Sequence, residues 1–204
     1  MIESFQIVLL THEREVERSS NTGQIALRYF PEYCQRVIWS RVDPDPKLVD
    51  LLSRGEGVLL FPDELFPDEL FPDEQESMGM VANQSMEKQL DPLHHQCHGP
   101  MNTADERSAS NVPNVIVILD ATWQEARKMC RRSHYLKQAM KYALPKPLID
   151  KHLSQFRLRR NQIQGGFCTI ECIQFLFRLK GMHAEATVLE SAFKNFNQND
   201  DKIT

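Results

Sequence analysis

Hydrophobic runs alternate with amphipathic stretches along the chain. Apolar runs at 5–10, 35–39, 57–61 and 114–119 are typical of buried strands. Helical spacing of apolar positions, bounded by capping residues and prolines, predicts helices. These helices are expected at 22–30, 45–52, 123–132, 169–179 and 184–195, with short extended pieces at 138–145 and 156–160. The alternation predicts an α/β fold whose parallel or mixed sheet is covered by helices on both faces.

One segment departs from this pattern. The pentapeptide LFPDE occurs in three successive copies at 60–74, and a proline at every fifth position excludes both a regular helix and a central strand. We interpret 62–112 as a low-complexity acidic insertion into a single domain that covers 1–195, followed by a frayed tail at 196–204. Only the first LFPDE copy, which adjoins a predicted strand, is expected to hold a framework position.

The composition fits a packed domain, with 41% hydrophobic and 25% charged residues in a chain of 204. No run approaches the roughly 20 apolar residues that a membrane-spanning helix needs, and the N-terminus lacks the basic start of a signal peptide. The five cysteines form no C-x-x-C pair, which favours free thiols over disulfides. We therefore expect a cytoplasmic protein with no membrane partner.

The charge is distributed unevenly. Residues 61–110 hold 11 acidic and 2 basic residues, whereas residues 121–180 hold 13 basic and 3 acidic residues. A basic half on a chain of net charge −4 indicates a polyanionic partner facing that half. A solvated basic surface is the alternative, and composition alone does not separate the two.

A carboxylate stands where the predicted strand 114–119 gives way to a helix. In open α/β sheets, ligands bind at the carboxyl ends of strands, and Asp120 occupies such an end. Thr122 and Glu125 have the spacing of a capping box, which explains both residues as structure but leaves Asp120 unexplained. The alternative is an ordinary amphipathic helix with a capped start.

Two further segments contain residue types that bind ligands. Gly165 and Gly166 precede a predicted helix start, where backbone amides can bind a carboxylate or phosphate, although a simple turn is the alternative. The cluster His94-His95-Gln96-Cys97-His98 is too crowded for the usual spacing of zinc ligands, so no metal is expected.

Three segments together resemble the DTW-domain proteins, specifically the bacterial tRNA-uridine aminocarboxypropyltransferases. The sequence at 17–23 is similar to the family's S-N-T-G segment, and 119–129 matches the D-x-T-W signature. Phe156-Arg157-Leu158-Arg159 with the segment 166–171 resembles the family's Y-R-L-R and C-T-x-E pair, and Leu60-Phe61-Pro62 has the family's form. The cysteine-rich N-terminal segment of many members has no counterpart in this sequence, so a structural zinc there is not expected.

The resemblance implies a reaction and a fold. S-adenosylmethionine would donate its 3-amino-3-carboxypropyl group to N3 of a uridine in the variable loop of tRNA, and methylthioadenosine would leave. The fold would be related to the SPOUT-type methyltransferases, with a knot near the C-terminus. The alternatives are an RNA methyltransferase that uses the same donor, or a non-catalytic RNA-binding protein. The sequence does not indicate the oligomeric state.

Asp120 is the candidate general base, because uracil N3 is a poor nucleophile until it loses its proton; it would either take this proton or mainly orient the N3–H. The candidate contacts to S-adenosylmethionine are Leu60, Phe61, Pro62, Leu119, Asp120, Thr122, Trp123, Leu158, Cys168, Thr169 and Glu171. The candidate contacts to RNA are Arg14, Arg18, Asn21, Lys128, Arg131, Arg132, Arg159 and Arg160. Trp123 is expected to pack either on adenine or, as we slightly favour, into the core. Glu171 could meet the donor or simply stabilise the first turn of its helix.

Overall fold

The computed structural model describes residues 5–61, 112–156 and 166–199, which form a five-stranded sheet with helices on both faces. Every strand pairing is parallel, and the order across the sheet is β2-β1-β4-β3-β5. The strands are β1 (Gln6–Thr11), β2 (Cys34–Ile38), β3 (Val58–Leu60), β4 (Val115–Asp120) and β5 (Lys141–Tyr142). The predicted α/β class is confirmed, and the sheet is parallel rather than mixed.

Seven α-helices are present in the described part of the chain. They are α1 (Gly23–Tyr29), α2 (Pro46–Ser53), α3 (Trp123–Arg132), α4 (His134–Gln138), α5 (Lys146–Ile149), α6 (Thr169–Leu179) and α7 (His183–Asn199). A 3-10 turn at Glu13–Glu15 follows β1.

Two hydrophobic cores cover the two faces of the sheet because alternate residues of a strand point to opposite sides. Ile7 and Leu9 of β1 lie in the first core with residues of α1, α6 and α7. Val8 and Leu10 lie in the second core with residues of α2, α3 and α4. The central strands β1 and β4 are therefore buried from both sides, as their unbroken apolar runs predict.

The chain leaves the two central strands in opposite directions. After β1 it enters α1 on the face of the first core, and after β4 it enters α3 on the face of the second core. Adjacent parallel strands whose connections diverge leave a crevice beyond their carboxyl ends, where α/β proteins bind ligands. We refer to this edge of the sheet, beyond the ends of β1 and β4, as the strand-end crevice; Thr11 and Asp120 mark it as partners in the strand register.

Several boundaries differ from the sequence-based expectations. Helices α3 and α6 have the predicted bounds, but α4 lies partly in the stretch predicted to be extended, and α5 was not predicted. A helix of five residues or fewer shows too little periodicity to be recognised. Helix α7 continues to Asn199, so the expectation of a tail from residue 196 was wrong at that point.

Some expectations fall outside the described residues. These include most of the acidic insertion, the His94–His98 cluster, and residues 157–165 before α6, so the C-terminal knot implied by the resemblance stays a prediction. Among the helices that the structure describes, none combines the length and the apolar character required to cross a bilayer.

Candidate active site

Asp120, at the end of β4, is the centre of a buried hydrogen-bond network. Its side chain is 2% exposed. Thr11 Oγ1 and Asn21 Nδ2 donate to Oδ2 at 3.0 and 2.8 Å, and Thr169 Oγ1 donates to Oδ1 at 2.9 Å. The donors come from the end of β1, the loop before α1 and the first residue of α6. Donors that are 109, 99 and 49 positions from Asp120 in the sequence therefore meet on one carboxylate.

The strand register explains why Asp120 faces this network. Ile118 points into the first core and Leu119 packs against the second, so Asp120 returns to the side of α1 and α6. The loop before α1 is fixed in turn, since Asn21 Oδ1 accepts from the backbone N–H of Gln24 at 3.1 Å.

Gly23 begins α1 directly against the carboxylate. A Cβ at this position would lie 2.8 Å from Asp120 Oδ1 and 3.0 Å from Oδ2, which is closer than real Cβ contacts. Only glycine lets α1 start this close to the acid. The side chain of Thr22 also ties this loop to α6, because Thr22 Oγ1 accepts from the N–H of Ile170 at 3.3 Å.

A second buried cluster lies next to Asp120. His12 is 4% exposed, its backbone N–H donates to the carbonyl of Asp120 at 3.2 Å, and its ring stacks on Trp39 with centroids 5.4 Å apart. His12 Nδ1 accepts from the N–H of Arg14 at 3.3 Å and lies 4.0 Å from Glu125 Oε1. An imidazole and a second carboxylate thus lie beside the crevice.

The capping box predicted at the start of α3 is confirmed. The Thr122 N–H donates to Glu125 Oε2 at 3.0 Å, and the Glu125 N–H donates to Thr122 Oγ1 at 3.3 Å. Partial burial acts to raise the pKa of Glu125, but hydrogen bonds from Thr122 and the nearby His12 and Arg18 outweigh it and lower this pKa. Glu125 therefore holds a negative charge near Asp120 at neutral pH.

Glu171, near the start of α6, is buried and fully engaged with backbone and side-chain donors. The N–H groups of Gln155 and Cys168 donate to it at 2.6 and 2.9 Å, and Ser154 Oγ donates at 2.8 Å. It therefore ties residues 154–155 to the helix that carries Thr169. Its predicted contact with the donor molecule remains a prediction.

The other candidate contacts to S-adenosylmethionine lie in different parts of the structure. Leu60 packs on the first core, and Phe61 and Leu119 pack on the second. Trp123 is half-buried and, among the described residues, belongs to neither core cluster, so the choice between adenine and the core stays a prediction. Pro62 and Leu158 lie outside the described residues.

The cysteines near α6 are thiols suited to packing. Burial, with the charge of Glu171, raises the pKa of Cys172 to about 12, and the same causes raise the pKa of Cys168 well above its usual value. A thiol that stays protonated is a weak nucleophile. The two cysteines are partly buried and pack against the first core.

The candidate RNA contacts divide between surface and interior. Arg14, Arg131 and Arg132 are exposed, and Lys128 is half-buried. Arg18 is partly exposed and forms an ion pair with the buried Glu15. Arg159 and Arg160 lie outside the described residues.

Asn21 needs a correction. It is fully buried and donates to Asp120, so its side chain is not exposed for contact with RNA in this structure. A polar residue in a loop is commonly exposed, but here the buried carboxylate of Asp120 needs a hydrogen-bond donor, which Asn21 supplies.

Sequence reasoning missed Thr11, His12 and Gly23 as members of the site. Thr11 and His12 follow an apolar strand just as Asp120 does. Polar residues at the ends of neighbouring parallel strands share one edge of the sheet, and this signal was present in the sequence. The need for glycine at residue 23 depends on a contact 97 positions away in the chain, which no local pattern reveals.

Surface cavities of about 650 and 230 Å³ both border His152, Leu153 and Gln155. The smaller one is also lined by Glu171, Gln174 and Phe175 of α6. Asp120 lines neither cavity. Among the described residues, no group of three or more histidine, cysteine or acidic side chains is arranged to hold a metal ion.

Comparison with known proteins assigns the chain to a family. The profile of the DTW domain matches residues 1–199, nearly the whole chain. No solved structure matches it. The three motif segments that define the resemblance supply Asn21, Asp120 and Thr169, which the structure joins by hydrogen bonds. The chain therefore belongs to the DTW domain family, the family of the tRNA aminocarboxypropyltransferases.

Proposed function

We propose that this protein transfers the 3-amino-3-carboxypropyl group of S-adenosylmethionine to N3 of a uridine in the variable loop of tRNA. Membership of the DTW domain family is consistent with tRNA modification. The observation that carries the specific proposal is the convergence of the three motif segments on Asp120 at the strand-end crevice. A SPOUT-like fold with a C-terminal knot belongs to the same proposal.

Asp120 is proposed as the base that receives the N3 proton. Once the proton leaves, the electron pair on N3 attacks the methylene carbon attached to sulfur, the carbon–sulfur bond breaks, and the sulfonium becomes the thioether of methylthioadenosine. Buried neutral donors hold the carboxylate in one orientation, which general base catalysis requires.

Regiochemistry is the second requirement. All three carbons on the sulfonium are electrophilic and the methyl is the least hindered, so the protein must present the aminocarboxypropyl carbon to N3. Positioning of this kind can contribute about 7–11 kcal/mol to a reaction barrier. The residues proposed to hold the donor are Leu60, Phe61, Pro62, Leu119, Thr122, Trp123, Leu158, Cys168, Thr169 and Glu171.

The test is mass analysis of tRNA after incubation with purified protein and S-adenosylmethionine. We expect one added aminocarboxypropyl group per tRNA, release of methylthioadenosine, and a rate at least about 100-fold lower for Asp120→Asn, since a positioned base contributes about 10²–10⁴-fold. Asp43→Asn, at an exposed aspartate, is the matched control.

Other products would exclude the proposal. Adenosylhomocysteine with a methylated tRNA would identify a methyltransferase. Binding of tRNA without any product would identify a non-catalytic RNA-binding protein. Full modification by Asp120→Asn would remove the proposed base.

A further inference from the structure

The two oxygens of Asp120 are not equivalent. Oδ2 accepts from both Thr11 and Asn21, whereas Oδ1 accepts only from Thr169 among the described residues. A carboxylate oxygen has two lone pairs. Oδ2 is therefore filled by the protein, and Oδ1 retains one acceptor position.

The donors also differ in how accessible they are. Thr11 and Asn21 are fully buried, and Asn21 is held further by its hydrogen bond with the N–H of Gln24. The Thr11 hydroxyl also lies 3.3 Å from the carbonyl of Leu9, which it can reach by rotation. Thr169 is half-buried at the first residue of α6, so Oδ1 lies on the more accessible side of the carboxylate, whereas the partners of Oδ2 are enclosed.

We propose that Thr169 is a positioning residue that reserves Oδ1 of Asp120 as the reactive oxygen. This inference rests on the proposed function. The Thr169 hydroxyl fills one acceptor position on Oδ1 and keeps its hydrogen bond. The N3–H of the target base donates to the second acceptor position on the same oxygen. The O–H bond then forms on Oδ1 as the N–H bond breaks, the electron pair stays on N3 for attack on the donor carbon, and the proton later passes to solvent.

The experiment compares Thr169→Val, which keeps the shape and removes the donor, with Thr169→Ser, which keeps the donor. Single-turnover rates of alkyl transfer to tRNA are measured against pH. We expect the acid limb of the Thr169→Val profile to move to higher pH by roughly one unit, the equivalent of one hydrogen bond to a charged group. Thr169→Ser should follow the parent profile. Thr187→Val, at an exposed threonine of α7, is the matched control.

A merely structural role would lower the melting temperature of Thr169→Val and leave the pH profile of the folded protein unchanged, and this result would overturn the inference. A pH profile of Thr169→Ser that matches the profile of Thr169→Val would also overturn the inference, because the hydroxyl would then have no effect on the reaction.

A second measurement separates this inference from the proposed function. The carbon-13 signal of the Asp120 carboxyl is titrated in free protein, with Asp120→Asn used for assignment. We expect Thr169→Val to move this titration to higher pH, in the direction of its rate profile. If the parent protein adds nothing to tRNA, the proposed function fails whatever the titration shows. If the parent is active and the titration is the same in Thr169→Val, the Thr169 inference alone fails.

Discussion

At the residue scale, the central fact is a buried carboxylate whose described partners are neutral. A charge removed from water is tolerated only when donors replace the lost hydration. Asp120 has three such donors, and hydrogen bonds to a charged group contribute about 1.5–3 kcal/mol each. The same network that stabilises the charge also fixes its orientation, so structural and chemical roles reside in the same atoms.

Gly23 provides a test of how tightly this network is packed. Gly23→Ala would place a Cβ 2.8 Å from an oxygen that Thr169 already holds, so the helix or the acid must shift. We expect a loss of about 1–3 kcal/mol in the free energy of unfolding, typical of overpacking, and a larger fall in transfer rate than this loss alone explains. Urea unfolding and single-turnover kinetics measure the two effects.

Ser19→Ala, at an exposed residue of the same loop, should leave both quantities unchanged. Stability and activity equal to the parent in Gly23→Ala would show that the close approach of α1 to the acid can relax at no cost.

At the element scale, local signals predicted the helices that carry the site but not the contacts between them. The T-x-x-E pattern at Thr122 and the periodicity of 169–179 located α3 and α6 with the observed bounds. The short α4 and α5 gave no such signal. The partners of Asp120 come from elements that are distant in sequence, and only the register of β1 with β4 and the docking of α6 bring them together.

The short helix α4 depends on a lysine beyond its end. Lys141 Nζ donates to the carbonyls of Leu136, Lys137 and Ala139 at 2.8, 3.1 and 2.7 Å, at the C-terminal end of the helix. Lys141 is half-buried, and this burial lowers its pKa. Lys141→Met should lower the free energy of unfolding by about 1–3 kcal/mol.

Urea unfolding checks this value, with Lys47→Met, at an exposed lysine in α2, as the control. Equal stability of the two variants would mean that solvent replaces the lysine at these carbonyls without loss.

At the scale of the whole molecule, exposed cations lie on two elements that follow the central strands. Arg14 lies in the turn after β1, the neighbour of β4 in the sheet. Arg131 and Arg132 are exposed in the last turn of α3, about 12–14 Å along the helix from its start after β4. A polyanion that contacts both groups would extend along roughly the length of α3.

This arrangement predicts how tRNA binding responds to salt. Each phosphate neutralised by a lysine or arginine releases counterions, so affinity falls linearly on a logarithmic scale as salt rises. The double variant Arg131→Ala/Arg132→Ala should weaken tRNA binding and reduce the magnitude of the salt slope by about 1 for each phosphate that is no longer neutralised. Its affinity for S-adenosylmethionine should not change, because the cations act on the nucleic acid alone.

Filter binding at several salt concentrations gives the slope, and Arg54→Ala, which removes an exposed arginine paired with Asp50 in α2, is the control. An unchanged slope in the double variant would place the RNA on a different face of the domain and would separate the basic helix from the chemistry at its start.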